Sequence, residues 1–171
     1  QLRGDKPSSP NEPQLAWQEV LDSAGNVVRD EKVSEFEFHP EHNHFHTAGI
    51  SSYEVRKGLP TGILIGNSVK VGFCLIDHVS LVGNSPTTER EYWDCNAERQ
   101  GISKGWMDQY HMPLAGQGVD VTGAKPGKYY MILRANPNGN FLESNKANNV
   151  AWQEFVLARD NNGKLTLTLT G

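Results

Sequence analysis

The sequence predicts a mainly β protein: an antiparallel β-sandwich with long functional loops and little helix. Three observations lead there. No stretch of the 171 residues sustains helical periodicity over three or four turns. Short segments rich in β-branched and aromatic residues recur along the chain, several of them alternating apolar with polar positions. Turn signals of Gly, Asn, Asp and Pro separate these segments at short spacing, the pattern of a sandwich. A chain of this length is expected to form one domain around a real hydrophobic core.

The elements follow in order. Residues 1–14 are expected to be an extended, proline-rich connector, because 4–14 hold three prolines among polar residues. Leu15 to Leu21 and Val27 to Val33 read as two strands around the turn Asp22-Ser23-Ala24-Gly25-Asn26, a hairpin. Phe36-Glu37-Phe38-His39 alternates aromatic and polar residues, and Ile50 to Val55 resumes a strand pattern. Further strands are expected over Ser68 to Ile76, Lys128 to Arg134, Trp152 to Ala158 and Leu165 to Thr170. The last two flank Asn161-Asn162-Gly163, whose residues tolerate the positive φ of tight hairpins. Residues 77–120 are long and rich in Gly, Asn and charge, a stretch expected to carry function or short helices.

Composition removes several function classes. The net charge is -4, and the 16 Lys and Arg are scattered rather than massed, so a nucleic-acid partner is not expected. No apolar run approaches the length that crosses a bilayer, so no membrane role is expected either. The mild acidity slightly favours cationic substrates, over a range that salt limits to about 8 Å. The start, Gln1-Leu2-Arg3-Gly4-Asp5, has neither an initiator Met nor a signal peptide's apolar segment, which points to a processed or trimmed product. Its Arg3-Gly4-Asp5 string is too short to argue for adhesion. Cys74 and Cys95 allow one bridge or two buried thiols; by count alone the two are equal.

The chemistry concentrates at His42-Asn43-His44-Phe45-His46. Histidines at i, i+2 and i+4 of an extended strand point to one face, about 6.6 Å apart in succession, a span that metal–nitrogen bonds and imidazole rings can close. Imidazole suits Cu(II), Zn(II), Ni(II) and Fe(II); three nitrogens with open positions fit copper or catalytic zinc, and spacing does not choose between them. His39 lies on the approach. A metallo-hydrolase would need Asp-His after His-x-His, and Phe45-His46 stands there instead.

Taken with its downstream neighbours, this segment resembles the catalytic domain of the lysyl oxidase family. Four stretches carry the resemblance in order: Phe36 to His39 with the histidine cluster; Lys70-Val71-Gly72-Phe73-Cys74-Leu75; Gln100-Gly101-Ile102-Ser103-Lys104-Gly105 running on to Tyr110; and Pro126 to Tyr129 with Asn136-Pro137, Glu143-Ser144 and Asn148-Asn149-Val150. Together they span roughly residues 36–152, and Lys70 follows His46 by the family's 24 residues.

The resemblance implies a short, microbial-type homologue, with copper on His42, His44 and His46 and a lysine tyrosylquinone cofactor formed from Lys70 and Tyr110. It implies oxidative deamination of primary amines, peptidyl-lysine ε-amino groups among them. The products would be aldehyde, ammonia and hydrogen peroxide. The expected partners are a lysine-containing peptide or protein, or a small amine, together with O2, and the expected location is secreted or extracellular. Asp108 is the favoured base, with His111 the other candidate. Relatives pair the counterparts of Cys74 and Cys95 with cysteines that are missing here, Glu41 standing in one of those places, so the two are expected to pair with each other. Relatives also carry more sheet upstream, which makes an N-terminal fragment of the same precursor an expected partner. Glu143, Asn145, Asn148 and Asn149 would suit either calcium or an Asn-rich turn. The competing function is a secreted metal-binding β module without catalysis, or an unprocessed precursor with zinc in the copper site.

Overall fold

The computed structural model describes residues 1–5, 13–40, 42–68, 72–81, 89–111 and 118–170. Among these there are thirteen strands and no helix, and every pairing is antiparallel, as a mainly β class requires. The chain divides into two compact units. The first comprises Gln1–Ile50, Gly72–Tyr110 and Gly139–Leu142, and the second Ser51–Val71, His111–Asn138 and Glu143–Gly171.

The first unit holds a six-stranded sheet ordered β7-β4-β3-β2-β1-β9, built from β1 (Leu2–Gly4), β2 (Gln14–Leu21), β3 (Val27–His39), β4 (His44–Ala48), β7 (Gly72–Phe73) and β9 (Arg99–Gln100). A two-stranded ribbon of β8 (Val79–Ser80) and β10 (Trp106–Met107) belongs to the same unit. Leu2, Ala16, Val33, Phe36 and Ala97 form its buried core, with Phe45, Leu75 and Phe141 packed against them. The second unit is a five-stranded sheet ordered β13-β12-β11-β5-β6, from β5 (Ser51–Lys57), β6 (Ile63–Asn67), β11 (Gly127–Ala135), β12 (Val150–Arg159) and β13 (Leu165–Leu169). Its core is Val55, Tyr129, Phe155 and Leu157.

Two hairpins use the same turn chemistry. The Asp22 carboxylate accepts the N–H groups of Ala24 and Asn26 at 2.8 and 2.9 Å, and Gly25 supplies φ 85° between β2 and β3. Asp160 accepts from Asn162 and Lys164, both at 2.9 Å, with Gly163 at φ 79° between β12 and β13. An Asp that satisfies the N–H groups two and four residues on, with glycine at the left-handed position, closes each turn without a long loop.

The expected connector begins later than residue 1. Leu2 is buried and Leu2–Gly4 pairs with both β2 and β9, while residues 6–12 lie outside the described residues. Three residues are too few to show a period, which hides such a strand from pattern reading. Arg3 and Gly4 of the Arg3-Gly4-Asp5 string therefore lie in the sheet. Arg3 pairs with Asp5, with Glu19 at 2.7 Å and with Asp30 at 2.9 Å. A Cβ on Gly4 would fall 1.7 Å from the Ala97 carbonyl oxygen, so only glycine permits that approach. The strand expected over Ser68 to Ile76 is seen only as Gly72–Phe73, residues 69–71 lying outside the described set. Within 77–120 the described residues contain three two-residue strands and no helix.

Candidate metal centre

The histidine cluster grows out of the connection between β3 and β4. β3 ends at His39, the N–H of His42 returns to the His39 carbonyl at 3.1 Å, and Asn43 takes φ 54°, a left-handed conformation Asn tolerates. β4 then starts at His44. The extended strand expected over all three histidines is thus corrected: His44 and His46 share one face of β4, whereas His42 reaches the same place from the turn. The tight β3–β4 reversal requires that turn.

The result is a convergence of ring nitrogens. His44 Nε2 lies 2.9 Å and His42 Nδ1 3.4 Å from His46 Nε2, and one ligand atom from each ring falls within 4.8 Å of the others. Two nitrogens each about 2.05 Å from one metal ion stand about 2.9 Å apart at a right angle and about 3.4 Å apart at a tetrahedral angle. The two spacings to His46 Nε2 therefore fit donors to one ion. Three neutral imidazoles suit both Cu(II) and Zn(II), and the spacings do not choose between them. Burial is graded, with His42 exposed, His44 half-buried and His46 only 1% exposed. His39, opposite His44 in the register, stacks on His46 with ring centroids 4.1 Å apart, and Glu37 is the direct cross-strand neighbour of His46. Glu37 also borders an open groove of about 380 Å³ lined by Lys32, Val33, Ser34, Glu35, Ala48 and Asn140.

Tyr110 is anchored beside this sheet. Its hydroxyl donates to the Cys74 carbonyl at 2.8 Å and accepts the Cys74 N–H at 3.0 Å, and its ring meets Phe73 edge-on at 4.8 Å. Phe73 pairs with Thr47, so Tyr110 is held at the strand next to the one that carries His44 and His46. Lys70 lies outside the described residues.

Cys74 and Cys95 form a disulfide, as expected from the two missing partners. The Cys95 carbonyl accepts the Phe45 N–H at 2.9 Å, so the bridge ties the Tyr110 anchor to β4. Asp108 Oδ2 is buried and makes no hydrogen bond. Burial pushes this carboxyl up to about 6, against smaller opposing effects of His78 and the Ile76 N–H. His111 is exposed and belongs to the second unit. In the loop considered for calcium, Glu143 Oε2 accepts the amides of Asn136 and Asn149 at 2.6 and 2.8 Å, and Asn145 Oδ1 accepts the Ala147 N–H. Those bonds make it a self-braced turn.

Two buried polar residues of the first unit escaped sequence reading. Asp77, wholly buried, accepts the N–H groups of Glu91, Tyr92 and Ser103 and the Ser103 hydroxyl. Gln100, also wholly buried, uses its amide at both ends. Gln100 did carry a signal, since it opens the motif that ends in Tyr110.

Sheets of antiparallel strands carrying a three-imidazole cluster define a β protein with a candidate metal centre. Comparison with known proteins is more specific. The lysyl oxidase family model matches residues 18–163. Similar proteins include lysyl oxidase homolog 1 of Homo sapiens, 31% identical over 115 residues that are 67% of this chain and 19% of that one. Protein-lysine 6-oxidase of Sus scrofa is 30% identical over 115 residues, again 67% of this chain and 44% of that one. Lysyl oxidase homolog 2A of Danio rerio is 33% identical over 113 residues, 66% of this chain and 15% of that protein. The chain belongs to the lysyl oxidase family. Its matched part spans less than half the length of each of these relatives.

Proposed function

We propose that this chain is a copper-dependent amine oxidase unit that converts primary amines, including peptidyl-lysine ε-amino groups, to aldehydes. The balance is amine, O2 and water giving aldehyde, ammonia and hydrogen peroxide. The observation that most supports this reading is the convergence of His42, from its turn, with His44 and His46 of β4, the strand that pairs with the segment leading to the Cys74 anchor of Tyr110. Copper on those imidazoles, with a lysine tyrosylquinone from Lys70 and Tyr110, would supply the two-electron chemistry that no ordinary side chain has. The family's relatives include a protein-lysine 6-oxidase, which favours lysyl substrates, and we carry over a secreted location as the family resemblance implies it. Among the described residues no helix is long and apolar enough to cross a membrane.

The chain's own residues then have distinct tasks. The hydrogen bonds from Cys74 fix the Tyr110 ring. Glu37, the cross-strand neighbour of His46, borders the groove with Glu35 and Lys32, and its carboxylate favours approach of a cationic side chain. Asp108 Oδ2 is our base for the proton on the carbon that bears the amine. A carboxyl raised to about 6 is a stronger base than a solvated aspartate and is still ionised at neutral pH.

That role sets a pH profile. kcat/KM should rise with pH through a limb near 6 as Asp108 loses its proton. Asp108→Asn should lower kcat by about 10²–10⁴-fold and remove the limb. A carboxyl whose pKa is raised by folding loses stability as pH climbs from its unfolded value, near 3.9, through its folded one. The neutral asparagine should therefore not lower Tm at pH 7. An intact limb in Asp108→Asn would assign the proton transfer elsewhere.

Peptide mapping of copper-loaded, aerated protein tests the oxidase reading directly. The peptides carrying Lys70 and Tyr110 should be replaced by one cross-linked species, and Lys70→Ala should abolish both the cross-link and amine-dependent peroxide release. A loaded sample with separate peptides and no peroxide leaves a non-catalytic metal module. Peroxide release that survives Lys70→Ala points to a different metal oxidase.

A further inference from the structure

We propose that Gln100 is a positioning residue for the metal centre, bracing β4 on both sides of His46. This rests on the metal reading of the histidine cluster. The side chain of Gln100 is wholly buried and spends its whole amide on four partners. Nε2 donates to the Phe45 carbonyl and to the Asn96 carbonyl, both at 3.0 Å. Oε1 accepts the Leu75 N–H at 3.1 Å and the Thr47 hydroxyl at 3.3 Å. Phe45 and Thr47 are the residues immediately before and after His46, so one side chain holds both flanks of the most buried ligand candidate.

The other partners explain why a single amide suffices. Leu75 follows Cys74, whose backbone anchors the Tyr110 hydroxyl, and Asn96 follows Cys95, whose carbonyl takes the Phe45 N–H. Gln100 therefore joins three segments, namely β4, the chain leaving β7, and the loop that enters β9. Thr47 is itself wholly buried, so no water can substitute for the missing partner if the amide is removed. Glutamine is suited to this point because it alone among uncharged side chains of its length presents two donors and two acceptor lone pairs. Without it, β4 keeps its neighbours but loses the bonds that set where His46 Nε2 stands relative to His44 and His42. Outer hydrogen-bond partners of this kind typically change metal affinity by about 10–100-fold.

The full chain carrying Gln100→Met, which keeps volume and removes all four bonds, tests this against Gln100→Glu. The latter keeps both acceptors and loses the donors to Phe45 and Asn96. Leu157→Ala, a core truncation in the second unit, is the control for lost stability. Cu(II) affinity is read by competition with a chromogenic chelator, the ligand field by electron paramagnetic resonance, and the fold by circular dichroism. Gln100→Met should remain folded, bind Cu(II) about 10–100-fold more weakly and shift the copper hyperfine splitting. Gln100→Glu should fall between it and the unaltered chain, and Leu157→Ala should leave affinity and spectrum alone. Unchanged affinity and spectrum in both Gln100 variants overturn the proposal, as does equal weakening in Leu157→Ala. If Gln100→Met does not fold, Thr47→Val decides, because it removes one bond to Oε1; an unaltered copper spectrum there overturns the proposal. An unaltered chain that takes up no stoichiometric copper overturns the metal reading itself, a result separate from the others.

Discussion

Asp77→Asn should cost about 3 kcal/mol or more in a denaturant melt at pH 7, although it touches neither a candidate metal ligand nor Tyr110. The carboxylate receives four hydrogen bonds in a fully buried setting: Ser103 N–H on Oδ1, and Glu91 N–H, Tyr92 N–H and the Ser103 hydroxyl on Oδ2. Asparagine offers one oxygen and turns an NH2 group toward donors, leaving buried N–H groups without acceptors. The pH dependence supplies a second reading. Burial is the largest single influence and opposes ionisation, but the bonds from Ser103, Tyr92 and Glu91 together outweigh it and hold the carboxyl below the usual range. Stability from a lowered carboxyl is fully present above the unfolded value near 3.9 and disappears as pH falls through the folded one. The unaltered chain should therefore lose stability below about pH 4 more steeply than Asp77→Asn. Parallel acid titrations of the two, followed by near-ultraviolet circular dichroism, would refute this if they superimposed.

His46→Ala should remove stoichiometric copper binding. The loss should exceed the roughly 10–100-fold expected when only an outer hydrogen-bond partner is removed. His46 Nε2 faces both other rings, 2.9 Å from His44 Nε2 and 3.4 Å from His42 Nδ1. His39→Ala makes the comparison useful. That ring stacks on His46 but is not one of the three that converge, so its removal should cost less affinity than removal of His46. Isothermal titration of metal-free protein with Cu(II) measures both. Equal losses in the two variants would mean that the converging set has been misassigned.

What could be read beforehand divides by the range of the interaction. The β2–β3 and β12–β13 hairpins were legible because Asp22 to Asn26 and Asn161 to Gly163 state their turns within five residues. β11 and β12 announced themselves by length and by β-branched and aromatic content. The histidine cluster was visible for the same reason: its three rings lie within one short segment. β1, β8, β9 and β10 were not legible, since two or three residues hold no period and their pairing is decided by distant partners. β6 was missed because Ile63 and Leu64, both exposed, follow a Gly-rich turn and show no alternation. The place of His42 depended on a single left-handed Asn43. Asp77 and Gln100 are invisible to pattern reading, because an isolated Asp or Gln looks like surface until the fold brings four partners to it. The resemblance to the lysyl oxidase family reached further than periodicity, joining Tyr110 to the histidines across dozens of residues.

The pairing of Leu2 with Gln100 closes a loop of nearly the whole first unit, and that span has a kinetic meaning. Local hairpins form in about 1–10 μs, whereas contacts between remote segments wait on chain closure and a disulfide can take seconds to hours. His42, His44 and His46 sit on a local reversal, so their imidazoles are expected to gather before Gln100 and the Cys74–Cys95 bridge reach them. In that interval the chain would offer three imidazole donors without a fixed geometry, and any ion taken up would be set by abundance and intrinsic affinity. The order in which the chain meets oxidant and metal thus becomes part of how the centre is specified.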